Sequence, residues 1–324
     1  MTKKPRRRRR LLIALGVVAV LVVGFALVLR SPSPVGHWNS ATGYQDYVAK
    51  YDLAMRDLPK PAATLDIRTD YGLVRAYRFA GAQPKARPLV LLPGTSSGTP
   101  VWADNLPSLL QLGDVYAIDL LGEPGMSIQN RPITTSEEKA AWIDQTLAAL
   151  PGDKFHVLGL SIGGWTAMNL AVHRPAHVAT VTTLDGVSIF DSIPVETVIR
   201  SLPAAVKWLP RSWRDSFNSY TAGGAPVEQV PVAEMIESGM KNYTMRQPQP
   251  QRITEEQLKG LKVPALAIIA GKSVMHDPAK ARATADRALP AKTVKFYPEA
   301  SHAINGEYPK EIAADLAGFI AAHP

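Results

Sequence analysis

Gly159-Leu160-Ser161-Ile162-Gly163 sets a serine between two glycines, directly after the apolar run Phe155-His-Val-Leu158 and before a stretch with helical character. This pattern turns a strand sharply into a helix with the serine at the apex. The flanking positions must be small because strand and helix nearly touch there. The chemistry on offer is nucleophilic attack by the Ser161 hydroxyl. The first N–H groups of the following helix, starting with Ile162, lack intrahelical partners and carry the positive end of its dipole. They suit an oxyanion that develops during attack. A glycine turn with an incidental serine is the competing reading, and the strand before and helix after speak against it. The chain has no cysteine, so disulfides, thiolate zinc sites, a cysteine nucleophile and a lipidated cysteine are excluded.

Short apolar runs must position that serine. Thr64 to Thr69 and Leu73 to Phe79 read as two strands around Asp70-Tyr71-Gly72. Leu89 to Leu92, Val115 to Ile118, Phe155 to Leu158, Val178 to Leu184, Ala265 to Ala270 and Thr293 to Tyr297 read as further strands. Thr135-Ser-Glu-Glu138 has the spacing of a capping box and opens a helix that Pro151-Gly152 stops. Buried strands alternating with helices predict an α/β fold, a mostly parallel central sheet flanked by helices. Residues 186–262 break the alternation. Their prolines and large apolar residues (Trp208, Trp213, Phe217, Tyr220, Met235, Met240, Tyr243 and Met245) predict a helical lid over one end of the sheet. Tyr44 to Leu58 has helical apolar spacing and is expected to pack on the body or near a membrane surface.

Residues 64–324 resemble the α/β-hydrolase superfamily, in particular its small esterase and lipase-like members. In that family an apolar strand ends in His-Gly, and the next residue supplies an oxyanion N–H. The match here is Leu91-Leu92-Pro93-Gly94-Thr95, with Pro93 in place of the histidine. The resemblance thus implies an oxyanion hole from the N–H groups of Thr95 and Ile162. Tyr116 to Ser127, with Asp119, Gly122, Gly125 and Ser127, is similar to the family's Asp-x-x-Gly-x-Gly-x-Ser loop, which shapes the site without reacting. Ser301-His302 after the last strand resembles the family's Gly-His, and implies His302 as general base. The other histidines sit in a strand, beside a helix end or near the chain ends, except for one in the loop after Ala270. The family usually takes its acid from that loop, Gly271 to Pro278, where Asp277 is the only carboxylate. Asp277 is therefore the expected acid, although it also has the look of a helix N-cap before Pro278. Asp185, ending the preceding strand, is the alternative. Either choice keeps the order Ser, Asp, His.

The formal charge of +8 is concentrated at the N-terminus. Eight basic residues lie within the first thirty, and the remainder carries as many basic as acidic residues, 28 of each. A nucleic-acid partner is therefore not expected. Arg6 to Arg10 precede the uncharged run Leu11 to Leu29, which as a helix measures about 28 Å, close to a bilayer's hydrocarbon core. The expected organisation is a basic cytoplasmic tail (1–10), a transmembrane signal anchor (11–29), a linker and helix (30–63) and the hydrolase domain (64–324). The basic end stays inside, so the domain lies outside the cytoplasm. Secretion after signal cleavage is the alternative.

The expected activity is hydrolysis of carboxylic esters or related acyl bonds through an acyl-enzyme, with a small hydrophobic acyl substrate and neither cofactor nor metal. The alternative is a non-catalytic ligand-binding or scaffold protein on the same fold.

Overall fold

The computed structural model describes residues 5–29, 33–291 and 293–323, with the side chains of residues 5–11 and 25–29 left aside. Two compact units emerge, Met1–Pro34 and Val35–Pro324. The first contains α1 (Pro5–Leu29), one continuous helix. Among the described residues no helix is long and apolar enough to cross a membrane. The expected span Leu11 to Leu29 therefore stands unsupported by these residues, and its two ends lie outside the described side chains.

The second unit opens with β1 (His37–Trp38) and α2 (Ala41–Ala54), then β2 (Ala63–Thr69), β3 (Gly72–Phe79) and β4 (Leu89–Leu92). It continues through α3 (Leu106–Leu109), β5 (Val115–Ile118), β6 (Ile128–Gln129), α4 (Ser136–Ala149), β7 (Phe155–Leu160), α5 (Ile162–His173) and β8 (Val178–Leu184). The insertion supplies α6 (Val195–Ala205), α7 (Arg211–Thr221), α8 (Pro231–Asn242), β9 (Tyr243–Thr244) and α9 (Glu255–Lys259). The sheet resumes with β10 (Ala265–Ala270), α10 (Pro278–Ala288), β11 (Val294–Tyr297), α11 (Ile304–Glu307) and α12 (Pro309–Ala321).

The main sheet has the order β11-β10-β8-β7-β4-β5-β3-β2, with β6 on β3. Every pair from β11 to β5 is parallel, while β3 runs antiparallel to both β5 and β2. The sheet is thus mixed, with a parallel centre. The central strands are short apolar runs because both faces are covered. Along β4, Val90 and Leu92 face a cluster with Trp142 and Ile143 of α4 and Trp165 and Met168 of α5. Leu89 and Leu91 face the other layer, with Leu106 of α3 and Ile312 and Leu316 of α12. Register aligns Leu92 with Gly159, and Leu160 with Leu184, which in turn pairs with Ile268. The carboxyl ends of β4, β7, β8 and β10 therefore open side by side.

Thr135 caps α4 by accepting the Glu138 N–H at 3.1 Å, but the Glu138 carboxylate turns to the N–H and hydroxyl of Thr134. The expected reciprocal bond is thus displaced by one residue. The helix expected at Tyr44 to Leu58 is present as α2, and it packs inside the second unit rather than apart from it. Trp38, Tyr47 and Tyr51 stack in sequence, β1 pairs with β9, and the Asn39 N–H reaches the Asn242 carbonyl.

The insertion is helical, as expected. Arg214 of α7 makes a buried two-pronged pair with Glu237 of α8, both bonds 2.7 Å. Of the large apolar residues predicted to cover the sheet, Met235 and Tyr243 are buried, whereas Trp208 is 84% exposed. Helix α6 turns Thr197 and Ala204 inward and leaves Val195, Val198, Ile199 and Leu202 exposed.

Candidate active site

The turn at Ser161 is built as its glycines dictate. Ser161 has φ 54° and ψ −117°. A left-handed conformation at a non-glycine residue is strained and persists only where the surroundings enforce it. Here the Ser161 N–H is held by the Leu184 carbonyl at 2.9 Å. A Cβ on Gly159 would stand 2.1 Å from the Gly163 carbonyl oxygen, and one on Gly163 would stand 2.1 Å from that of Leu92. Neither backbone can yield without separating strand from helix. Gly163→Ala is expected to cost about 3 kcal/mol or more of stability, as forced overpacking does. Chemical denaturation measures it, and an unchanged midpoint would show that the contact relaxes freely.

The other non-glycine residues with positive φ are Ser96, Asp185 and Ser188. All four among the described residues sit in the segments that follow β4, β7 and β8. Backbone strain thus concentrates at one end of the sheet, around the serine.

His302 lies after β11 and brings its ring to this point. Its Nε2 is 2.8 Å from Ser161 Oγ, and its Nδ1 is 2.6 Å from Asp185 Oδ2. Ser161, His302 and Asp185 thus form one connected chain. The carboxylate in that chain is Asp185, the alternative acid, and Asp277, the expected one, stands outside it. Asp277 is the N-cap of α10, and its Oδ1 accepts the N–H groups of Ala279 and Lys280 at 3.0 and 3.1 Å. Capping before a proline at the first helical turn commits that side chain to the helix. The loop Gly271 to Pro278 still serves the site, by a different route. Ser273 Oγ donates to Asp185 Oδ2 at 2.6 Å, and His276 Nε2 lies 3.1 Å from Asp185 Oδ1.

Asp185 is fully buried and also accepts the Ala270 N–H at 3.0 Å. Burial alone would push its carboxyl up. The imidazoles of His276 and His302 outweigh burial and hold it well below the usual carboxylate range. The same contacts favour the ionised form of the carboxylate.

The segment expected to supply one oxyanion donor passes close to the serine. A Cβ on Gly94 would stand 3.6 Å from Ser161 Cβ. Thr95 is exposed beside it, and Ile162 opens α5. Both expected donor positions therefore flank Ser161. The next residue, Ser96, donates its N–H to Glu123 Oε2 at 3.1 Å. Burial pushes the Glu123 carboxyl up to about 7, against the opposing pull of Lys139 and of that N–H.

Asp119 plays the structural role expected of its loop. It is fully buried, and its two oxygens accept from the N–H and hydroxyl of Thr99, from Tyr51 and from the Met126 N–H, between 2.7 and 2.9 Å. Sequence reasoning missed Ser273, His276 and Glu123. Only the position of the first two after β10 could have pointed to them. Among the described residues no cluster of His, Cys, Asp or Glu could hold a metal ion.

Comparison with known proteins places this geometry in context. A family model described as "Alpha/beta hydrolase family" matches residues 89–315. The carboxylesterase nap of Bacillus subtilis is 23% identical over 274 residues, covering 81% of this chain and 88% of its own. The carboxylesterase YbfK of the same organism is 21% identical over 290 residues, 86% of this chain and 94% of its own. The crystal structure of YbfK superposes with a TM-score of 0.79 at 19% identity, over 87% of this chain and 99% of that one.

Proposed function

The chain belongs to the alpha/beta hydrolase family, and on that premise we propose that it is a serine carboxylesterase acting on esters with apolar acyl groups. The observation that carries this reading is the continuous contact Ser161 Oγ to His302 Nε2, and His302 Nδ1 to Asp185 Oδ2. His302 takes the Ser161 proton as Oγ attacks the ester carbonyl. Asp185 fixes the imidazole tautomer and balances the imidazolium that forms. The N–H groups of Thr95 and Ile162 receive the oxyanion. His302 then returns the proton to the leaving alcohol, and an acyl-Ser161 remains. Water, deprotonated by the same imidazole, attacks the acyl carbon and frees the acid and Ser161. No step calls for a metal or a cofactor.

The two carboxylesterases from Bacillus subtilis support the ester class. Val187, Ile189 and Phe190, beside the Ser161 carbonyl that meets the Val187 N–H at 3.4 Å, belong to the buried core, so the apolar acyl group is proposed from the apolar character of the insertion and of residues 11–29. A non-catalytic binding role has no observation in its favour, since it would leave the strained serine and its aligned imidazole without purpose. Residues 11–29 are proposed as a membrane anchor that keeps the hydrolase domain outside the cytoplasm. Arg6 to Arg10 lie at the N-terminal end of α1, and the apolar side chains of Leu12 to Val23 are exposed around it.

Fluorophosphonate labelling of the full chain in membranes tests both parts together. The expected result is a covalent adduct on Ser161 in protein that stays with the membrane after an alkaline carbonate wash. A series of p-nitrophenyl esters should then show turnover rising from acetyl to longer acyl chains. Absence of an adduct in well-folded protein would sink the hydrolase reading. Release of labelled protein by the wash would sink the anchor.

A further inference from the structure

We propose that His276 is a positioning residue of this site, a second imidazole that sets its Nε2 against the far oxygen of Asp185 and so tunes how strongly the carboxylate holds His302. The inference rests on the hydrolase reading for its consequence in turnover, but the placement of the groups stands by itself.

Asp185 sits between two imidazoles. His302 occupies Oδ2 on the side of Ser161, and His276 Nε2 lies 3.1 Å from Oδ1 on the other side. Both His276 and Asp185 are buried, so little water screens their interaction. His276 Nε2 makes no regular hydrogen bond, although it lies within 3.1 Å of Oδ1. Its effect on the carboxylate is therefore electrostatic rather than that of a well-aligned donor. The aligned donors are others: the Ala270 N–H on Oδ1 and the Ser273 hydroxyl on Oδ2. They fix where the carboxylate points. His276 acts on how much of its charge His302 experiences.

The loop that carries His276 is held in place from several sides. Gly271 runs so close to Pro298 that a Cβ would stand 2.5 Å from its carbonyl oxygen. The Thr197 hydroxyl donates to the Val274 carbonyl, and the Asp277 N–H donates to Asp191 Oδ2 at 3.1 Å. The charged groups around His276 are accordingly Asp185 from the end of β8, His302 from the loop after β11, Asp191 from the segment before α6, and Asp277 on its own loop. Asp277 is turned to its helix cap, and Lys272 of the same loop is paired with Glu299. The carboxylate of Asp185 is thus the anion that His276 meets directly.

The sign follows from the chain of contacts. A protonated His276 places positive charge at Oδ1, which reduces the pull of Asp185 on the proton of His302. Removing it strengthens that pull, so His302 holds its proton to higher pH. The base form is then scarcer at low pH, and the acidic limb of kcat/KM moves up.

The test follows the His302 ring by NMR as a function of pH in the full chain, in wild type and His276→Phe, with His302→Gln to assign the signal. The kcat/KM profile on a p-nitrophenyl ester is measured alongside. The His302 midpoint and the acidic limb should both rise by about one unit in His276→Phe, a roughly tenfold loss of activity on that limb. Should His276→Phe fail to fold, His276→Gln, which keeps a neutral polar group, should show a smaller shift in the same direction. Identical midpoints in wild type and variant would overturn the proposal, because a merely structural residue would change Tm and leave the titration alone. A shifted midpoint in a protein without ester turnover would uphold the coupling and reject the hydrolase reading instead.

Discussion

Ser161→Ala should reduce kcat by about four to six orders of magnitude, the loss seen when a nucleophile that works as part of a unit is deleted. The residual rate comes from the oxyanion donors and the imidazole, which still bind and polarise the ester. Stability should change little. Alanine keeps the Cβ, so the strain at φ 54° is the same in both proteins. The hydroxyl contributes one bond, to a His302 that keeps its contact with Asp185. Turnover of a p-nitrophenyl ester and a thermal melt measured together make the case. A variant with a wild-type melt and more than a few per cent of wild-type turnover would place the nucleophile elsewhere.

Asp185→Asn should lower kcat by about three to four orders of magnitude while the ester KM moves little. The amide occupies the same volume but carries no charge, so the imidazolium formed during attack loses its counterion. It also presents an N–H where the carboxylate accepted one, which favours the wrong tautomer of His302. A cost in stability accompanies this, because the fully buried site is built to surround an anion with the Ala270 N–H, the Ser273 hydroxyl and two imidazoles. Asp277→Asn is the matched control. It weakens the cap of α10 and should lower Tm slightly with turnover nearly intact. The reverse outcome, a mild effect at Asp185 and a severe one at Asp277, would overturn the assignment of the acid.

The contrast between those two aspartates marks where sequence reasoning reached its limit. That Ser161 and His302 would come together was legible because each has a local signature, a glycine-flanked turn after one apolar strand and a position after the last. The strands were legible because a sheet covered on both faces demands short uninterrupted apolar runs. Leu89–Leu92, Val115–Ile118, Val178–Leu184 and Ala265–Ala270 have the expected ends. The acid has no such signature. Strands β8 and β10 are parallel neighbours, with Leu184 beside Ile268. A carboxylate leaving either end starts within reach of the same imidazole, and spacing along the chain cannot rank them. Asp277 before Pro278 satisfied a capping rule as well as a catalytic one, and the capping rule won.

His276 and Ser273 were illegible for a related reason. Their role is defined by Asp185, which is distant in sequence. The outward face of α6 was hidden because apolar residues at helical spacing normally mark a buried face. Here the small side chains of Thr197 and Ala204 pack inward, and the larger ones do not.

The pairing of β1 with β9 gives the second unit an unusual mechanical layout. The chain leaving Pro34 does not enter the central sheet first. It is laced to Tyr243 and Thr244 through β1, and then to α8 through α2, whose Gly43 lies against the Asn242 side chain. The pair Arg214–Glu237 carries the same linkage on to α7, whose last residue, Thr221, accepts the His302 N–H at 3.2 Å. Tension applied at the N-terminal end of this unit would therefore load the insertion, and through it the backbone of the histidine, at the same time as it loads β4 through Tyr47 and Tyr51 of α2. Seen as a load path, the first thirty residues of the unit are less a linker than a tendon.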